Sequence, residues 1–101
     1  MKKVMISQPM KGKTIEEIRA EREETKTRLN ELGYEVIDTI IPEAEKVSTN
    51  NKALWFLGKS LQLMSEVDLV YFMKGWDKAR GCLIEKQAAE NYGLEIIEQL
   101  K

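Results

Sequence analysis

Residues 68–73, Asp-Leu-Val-Tyr-Phe-Met, form a nearly unbroken apolar run between two segments of helical periodicity. A strand with one wet face alternates apolar and polar positions. A run that does not alternate predicts a strand covered on both faces, as in a parallel sheet between helices. The rest of the chain fits that expectation. Lys2 to Ser7 is a short β-rich run, and Thr14 with Glu17 three residues on makes a capping box. Ile15, Ile18, Thr25, Leu29 and Leu32 then share one helical face, and Gly33 supplies the stop. Tyr34 to Asp38 reads as the second strand. Thr39 to Asn51 reads as a loop, with Pro42 inside it and the cap formers Ser48, Thr49, Asn50 and Asn51 at its end. Lys52 to Ser65 predicts a second helix, interrupted only by Gly58. Lys78 to Asn91 predicts a third, stopped by Gly93, and Leu94 to Ile97 a fourth strand.

The alternation β-α-β-α-β-α-β with short links predicts an α/β fold. Three layers follow: a small flavodoxin-like or Rossmann-like parallel sheet of strand order 2-1-3-4, with helices on both faces. At 101 residues, one domain spanning 1–101 with one core is expected. Sheets of this kind bind ligands beyond the C-terminal strand ends, where the strand order reverses. Two loops meet there, Ser-Gln-Pro-Met-Lys-Gly-Lys after strand 1 and Lys-Gly-Trp-Asp-Lys-Ala-Arg-Gly after strand 3.

Composition narrows the chemistry. The formal net charge is -1, so no global field argues for a nucleic-acid polymer or a membrane surface as partner. No apolar run is long enough to span a bilayer, and the N-terminus lacks a signal-peptide core. A single cysteine fits a reducing cytoplasm. The histidine count is 0, which removes the commonest general base, Ser-His and Cys-His pairs and most zinc sites. Carboxylates, hydroxyls, backbone amides or the thiol must then carry any catalysis.

The first loop brings Lys11 and Lys13 to the start of the first helix, with hydroxyls from Ser7 and Thr14 and a close backbone approach at Gly12. Unpaired N–H groups and the helix dipole favour an anion there. A phosphate or carboxylate site and a merely solvated loop are both compatible with this pattern. In the third helix, Gly81, Glu85, Ala88 and Tyr92 recur at helical spacing, with Ile84 at the border. A carboxylate on such a small, apolar-flanked stripe needs a partner or a function, because an unpaired buried carboxylate is costly. Pairing with Arg80 or Lys86 at the helix edge is the competing reading, and the pattern by itself leans to it. Cys82 beside Arg80 reads as a stabilised thiolate or, more simply, as a small buried side chain. Trp76, after Gly75, either stacks on a planar ligand or packs beneath its loop. Trp55, Phe56, Leu57, Leu61, Leu63 and Met64 make the second helix apolar nearly all round. That excess predicts a homodimer or higher homo-oligomer built near Trp55 and Phe56.

Across nearly its whole length the chain resembles the nucleoside 2-deoxyribosyltransferase-like proteins. The segments that carry the likeness are Ile-Ser-Gln-Pro-Met-Lys-Gly, Asp-Leu-Val-Tyr-Phe-Met-Lys-Gly-Trp and Ala-Arg-Gly-Cys-Leu-Ile-Glu-Lys-Gln-Ala-Ala-Glu-Asn-Tyr-Gly. Within that family it is similar to the small enzymes that hydrolyse 2'-deoxynucleoside 5'-monophosphates. The resemblance implies N-glycosidic cleavage or deoxyribosyl transfer on a small-molecule nucleoside or nucleotide, without a cofactor or metal. It makes Glu85 the nucleophile and maps Ser7, Gln8, Pro9, Met10 and Gly12 near the sugar or its 5' substituent. Lys11, Lys13, Gly75, Trp76, Asp77, Arg80 and Gly81 complete the expected crevice. The dipole and backbone donors of the third helix's first turns are expected to hold Glu85 ionised. Two departures stand out: Gln-Pro-Met replaces the usual Gly-Pro-Met, and Ser60 occupies the position where better-known members carry an Asp. Asp77 and Asp38 are the substitute acids; each reads equally well as a helix cap or a solvated strand end.

Overall fold

A computed structural model describes residues 1–37 and 48–99. Strand β1 (Lys3–Ser7) leads to helix α1 (Ile15–Glu31) and strand β2 (Glu35–Ile37). Helix α2 (Lys52–Met64), strand β3 (Leu69–Phe72), a 3-10 turn (Trp76–Lys78), helix α3 (Arg80–Asn91) and strand β4 (Glu95–Glu98) follow. The four strands are parallel in the order β2-β1-β3-β4, the flavodoxin-like arrangement expected from the alternation of elements. Boundaries fall within a residue or two of the sequence reading, the usual latitude of strand and helix ends. In the third helix a 3-10 turn and an extended Ala79 come first, so it starts at Arg80 rather than Lys78. Residue 38 and the body of the loop before α2 lie outside the described residues.

The two sheet faces sort by strand alternation. Val4 and Ile6 of β1 pair in register with Leu69 and Tyr71 of β3, and these four pack with Leu29 of α1 on one face. Met5 of β1, with Val70 and Phe72 of β3, packs with Met64 at the end of α2 and with Cys82 and Ala89 of α3 on the other. Val4, Met5, Leu69, Val70 and Phe72 are all 0% exposed. Each contributes about 1.5–3 kcal/mol by leaving water. Ser7 is in register with Phe72, so period 2 puts its hydroxyl on the α2–α3 face.

The start of α1 carries the expected capping box. The Thr14 hydroxyl accepts from the Glu17 N–H, while the Glu17 carboxylate accepts from the Thr14 N–H. Its buried stripe, however, is Arg22, Thr25 and Leu29, whereas Ile15 and Leu32 are largely exposed. Length explains this. Seventeen helical residues run about 26 Å, and five strand residues about 17 Å, so both ends of α1 overhang the sheet. In α3 the buried stripe is Cys82, Glu85 and Ala89, and Tyr92, expected on the Glu85 face, stands in solvent at the C-cap.

Helix α2 begins with Asn51, whose side chain accepts from the Leu54 N–H. Only Met64 of this helix is fully buried; Trp55, Phe56 and Leu57 are half-buried and Leu54 and Leu61 exposed. The Trp55 and Phe56 rings meet edge to face at 5.0 Å, and Lys59 Nζ lies 5.3 Å from the Trp55 centroid. No described helix is long and apolar enough to cross a membrane.

Candidate active site at the C-terminal edge of strands 1 and 3

Strands β1 and β3 are neighbours whose connections leave in opposite directions, and the loops beyond them touch. Gly75, at φ +93°, faces Pro9: a Cβ on Gly75 would lie 3.5 Å from Pro9 Cγ. That distance is ordinary packing contact, so it is the left-handed backbone that suits glycine there.

Ser7 ends β1 with its side chain on the α2–α3 face, and Glu85 lies in the second turn of α3. Ser7 Oγ donates to Glu85 Oε1 at 2.6 Å, with Ser7 1% and Glu85 8% exposed. Ser60, from α2, reaches the same carboxyl group and, like Ser7, favours its charged form. Cys82, one turn earlier on α3, lies against both Ser7 and Glu85. One carboxylate, two hydroxyls and a thiol from three separate elements thus form one cluster at the strand ends.

Burial pushes the Glu85 carboxyl above its ordinary value. The Ser7 and Ser60 hydroxyls and the positive charge of Arg22 oppose the shift without cancelling it. This corrects two expectations. The groups that stabilise the carboxylate are hydroxyls and a guanidinium from other elements, not backbone donors of its own helix, and burial outweighs them. Nor is its partner Arg80, which is exposed, or Lys86, whose Nζ turns to Glu90 and Glu98 at 3.8 and 3.3 Å. The thiol of Cys82 is likewise pushed up, chiefly by burial, and Glu85 adds to the effect. It is a buried side chain, not a stabilised thiolate.

The neighbouring residue, Gln8, is 7% exposed and spans the turn after β1. Its Nε2 donates to the Ile18 carbonyl at 2.8 Å, and its Oε1 accepts from Arg22 Nη1 at 3.3 Å. Pro9 is half-buried; Met10, Lys11 and Gly12 are exposed. Lys13 Nζ is bound by the Glu21 carboxylate at 2.8 and 3.1 Å, so its charge is directed back onto α1. Trp76 packs on Phe72 at a centroid distance of 5.7 Å and carries Lys86 Nζ 4.5 Å from its own centroid. Asp77 is exposed in the 3-10 turn. Of the expected crevice residues, the fold therefore brings Ser7, Gln8, Ser60 and Glu85 together, leaves Gly81 half-buried with open space where a Cβ would stand, and leaves Lys11, Asp77 and Arg80 on the surface. The expected acid Asp38 lies outside the described residues.

One buried functional group was missed in the sequence. Arg22 is 2% exposed. Its signal was available, since position 22 falls on the stripe through Ile18, Thr25 and Leu29 where an apolar residue is the rule. A cleft of about 240 Å³ opens on the opposite sheet face, lined among others by Lys13, Glu21, Arg28, Met73 and Lys74. Glu85 does not line it. Two ion pairs line its walls, Lys13 to Glu21 and Arg28 to Glu24, and the cleft is separate from the Glu85 site.

A family model described as Domain of unknown function (DUF4406) matches residues 2–98. The chain belongs to that family. A comparison with curated proteins finds no match. The family match runs from β1 through β4, so all the residues that meet at Glu85 lie inside it.

Proposed function

We propose that this member of the family cleaves or transfers at the N-glycosidic bond of a 2'-deoxynucleoside or its 5'-monophosphate, through a covalent glutamyl-sugar intermediate on Glu85. One observation carries the reading: a buried carboxylate held by Ser7 at 2.6 Å, at the strand ends where parallel α/β sheets bind ligands. The resemblance of the surrounding segments to nucleoside 2-deoxyribosyltransferase-like proteins supports it independently.

The chemistry suits a protein with 0 histidines. A Glu85 oxygen attacks C1' as the C1'–N bond breaks, and the bonding pair leaves with the base, which takes up a proton. Water, or a second base in a transferase, then attacks C1' and releases the carboxylate. Ser7 and Ser60 orient the nucleophile. Their bonds to it weaken as its charge is spent, so they position it rather than drive the step. Exclusion of water from the pocket leaves the carboxylate poorly solvated and therefore reactive.

A second reading has its own support. Ser60 stands where better-known relatives of the resembled family carry an acid, and a serine hydroxyl is too weak an acid to protonate a leaving base. Together with the elevated Glu85, this favours a nucleotide-binding module that has kept the pocket and lost turnover. In either reading the protein works in the cytoplasm on a small molecule, and a second copy covers α2. Incubation with each deoxynucleoside and deoxynucleoside monophosphate, followed by chromatography for free base, separates the two. Base release that disappears in Glu85→Gln supports the enzyme. Saturable binding without release supports the module.

A further inference from the structure

Among the described residues, the buried ionisable side chains of opposite charge are Arg22 and Glu85, at 2% and 8% exposure. They come from helices on opposite faces of the sheet, α1 and α3, and approach each other at the end of β1. The path between them is short and specific. Arg22 Nη1 donates to Gln8 Oε1 at 3.3 Å, Gln8 follows Ser7 in the chain, and Ser7 Oγ donates to Glu85 Oε1 at 2.6 Å. Gln8 is fixed at its other end by the Ile18 carbonyl at 2.8 Å, so it does not rotate freely. A guanidinium stays protonated under all ordinary conditions, so its positive charge is a fixed feature of this end of the sheet.

We propose that Arg22 is a positioning residue for the Glu85 site: it anchors the turn after β1 through Gln8 and supplies a permanent positive charge behind the Ser7–Glu85 pair. The proposal rests on Glu85 being the reactive group of the site. It goes further in making a residue of α1, on the far face of the sheet, act on that group alongside burial and the two hydroxyls. The surroundings of Glu85 leave room for this role. Ser7 from β1 and Ser60 from α2 are uncharged, Cys82 on α3 is a thiol raised by burial, and Lys86 on α3 is directed to Glu90 and Glu98. Among the described residues Arg22 is the cation that acts on the carboxylate, and it acts in the direction that favours ionisation.

The test needs no substrate, so it stands or falls separately from the glycosidic reading. The protein is labelled with carbon-13 at glutamate side chains, and the Glu85 resonance is assigned by its loss in Glu85→Gln. Its titration midpoint is then measured in wild type, Arg22→Lys and Arg22→Gln. Arg22→Gln keeps a donor for Gln8 and removes the charge, and it should raise the midpoint by more than about half a pH unit. Arg22→Lys should hold it near wild type. A midpoint unchanged in Arg22→Gln, or raised equally in both variants, overturns the proposal. If the variants do not fold, the nitrogen-15 side-chain resonances of Arg22 in the wild-type protein decide. They should shift with the Glu85 midpoint and lose that inflection in Glu85→Gln; resonances that stay flat through the Glu85 titration overturn it equally.

Discussion

Replacing Glu85 by glutamine separates what the site does from what it costs. Glutamine has nearly the same shape and still accepts a hydrogen bond from Ser7 Oγ, which lies 2.6 Å from Glu85 Oε1. Burial raises the folded-state value of this carboxyl above its unfolded value, which is about 4.3. Between the two values the native state holds a proton that the unfolded state does not. The stability from this group is therefore complete below about pH 4.3 and lost as pH rises through the folded value. Each unit of elevation corresponds to about 1.4 kcal/mol lost above the folded value. Against this, the variant exchanges a hydrogen bond to a charged acceptor, about 1.5–3 kcal/mol, for a neutral one of about 0.5–1.5 kcal/mol. That loss is already contained in the net elevation, because Ser7 and Ser60 both act to lower the value and do not prevent its rise. Glu85→Gln should therefore be at least as stable as wild type at pH 8 in urea unfolding, and its advantage should shrink toward pH 4. Base release should meanwhile fall by at least about 100-fold. Wild type more stable than the variant at pH 8, by more than the error of the unfolding curves, would refute the electrostatic reasoning. Unchanged turnover would refute Glu85 as nucleophile.

Further expectations follow from the same geometry. Ser7→Ala removes a donor to a charged acceptor worth about 1.5–3 kcal/mol, so it should move the acid limb of the pH–rate profile upward; an unmoved limb would show that Ser7 does not support the ionised carboxylate. Lys11→Ala combined with Lys13→Ala should weaken binding of a deoxynucleoside monophosphate about tenfold or more while sparing the nucleoside, as calorimetry can measure. Equal losses for both ligands would assign the lysines to loop shape, in keeping with the Lys13–Glu21 pair. A self-association surface on α2 should be broken by Phe56→Glu, since burial of such a ring contributes about 1.5–3 kcal/mol. Light scattering at micromolar concentration should show the shift in mass, and a wild-type monomer of 11.7 kDa would remove the interface. A 2'-fluorinated substrate analogue should leave a mass adduct on the peptide containing Glu85, and an adduct on another peptide would reassign the nucleophile.

Much of the architecture follows from short-range pattern. The unbroken apolar run at residues 69–72 demands two covered faces, and helices of the observed lengths between strands leave a parallel sheet as the way to provide them. Thr14 and Glu17 mark the start of α1 because a capping box is complete within four residues. Glu85 stands out for the same kind of reason, as a carboxylate on a stripe of small residues one turn after Gly81. Its partners are another matter. Helical spacing offered Arg80 and Lys86, both within reach along the chain, but Arg80 stands exposed, Lys86 goes to Trp76, Glu90 and Glu98, and α3 presents Glu85 to Ser7 and Ser60. Residues 7, 60 and 85 meet only after two crossovers place α2 and α3 over the same sheet face, and only because the register of β1 on β3 puts Ser7 on that face. The burial of Arg22 and the exposure of Ile15, Leu32 and Tyr92 have the same origin. Periodicity tells which residues share a side of a helix. How far that side extends over the sheet, and what waits across from it, depends on segments distant in the chain, and there tertiary structure alone decides.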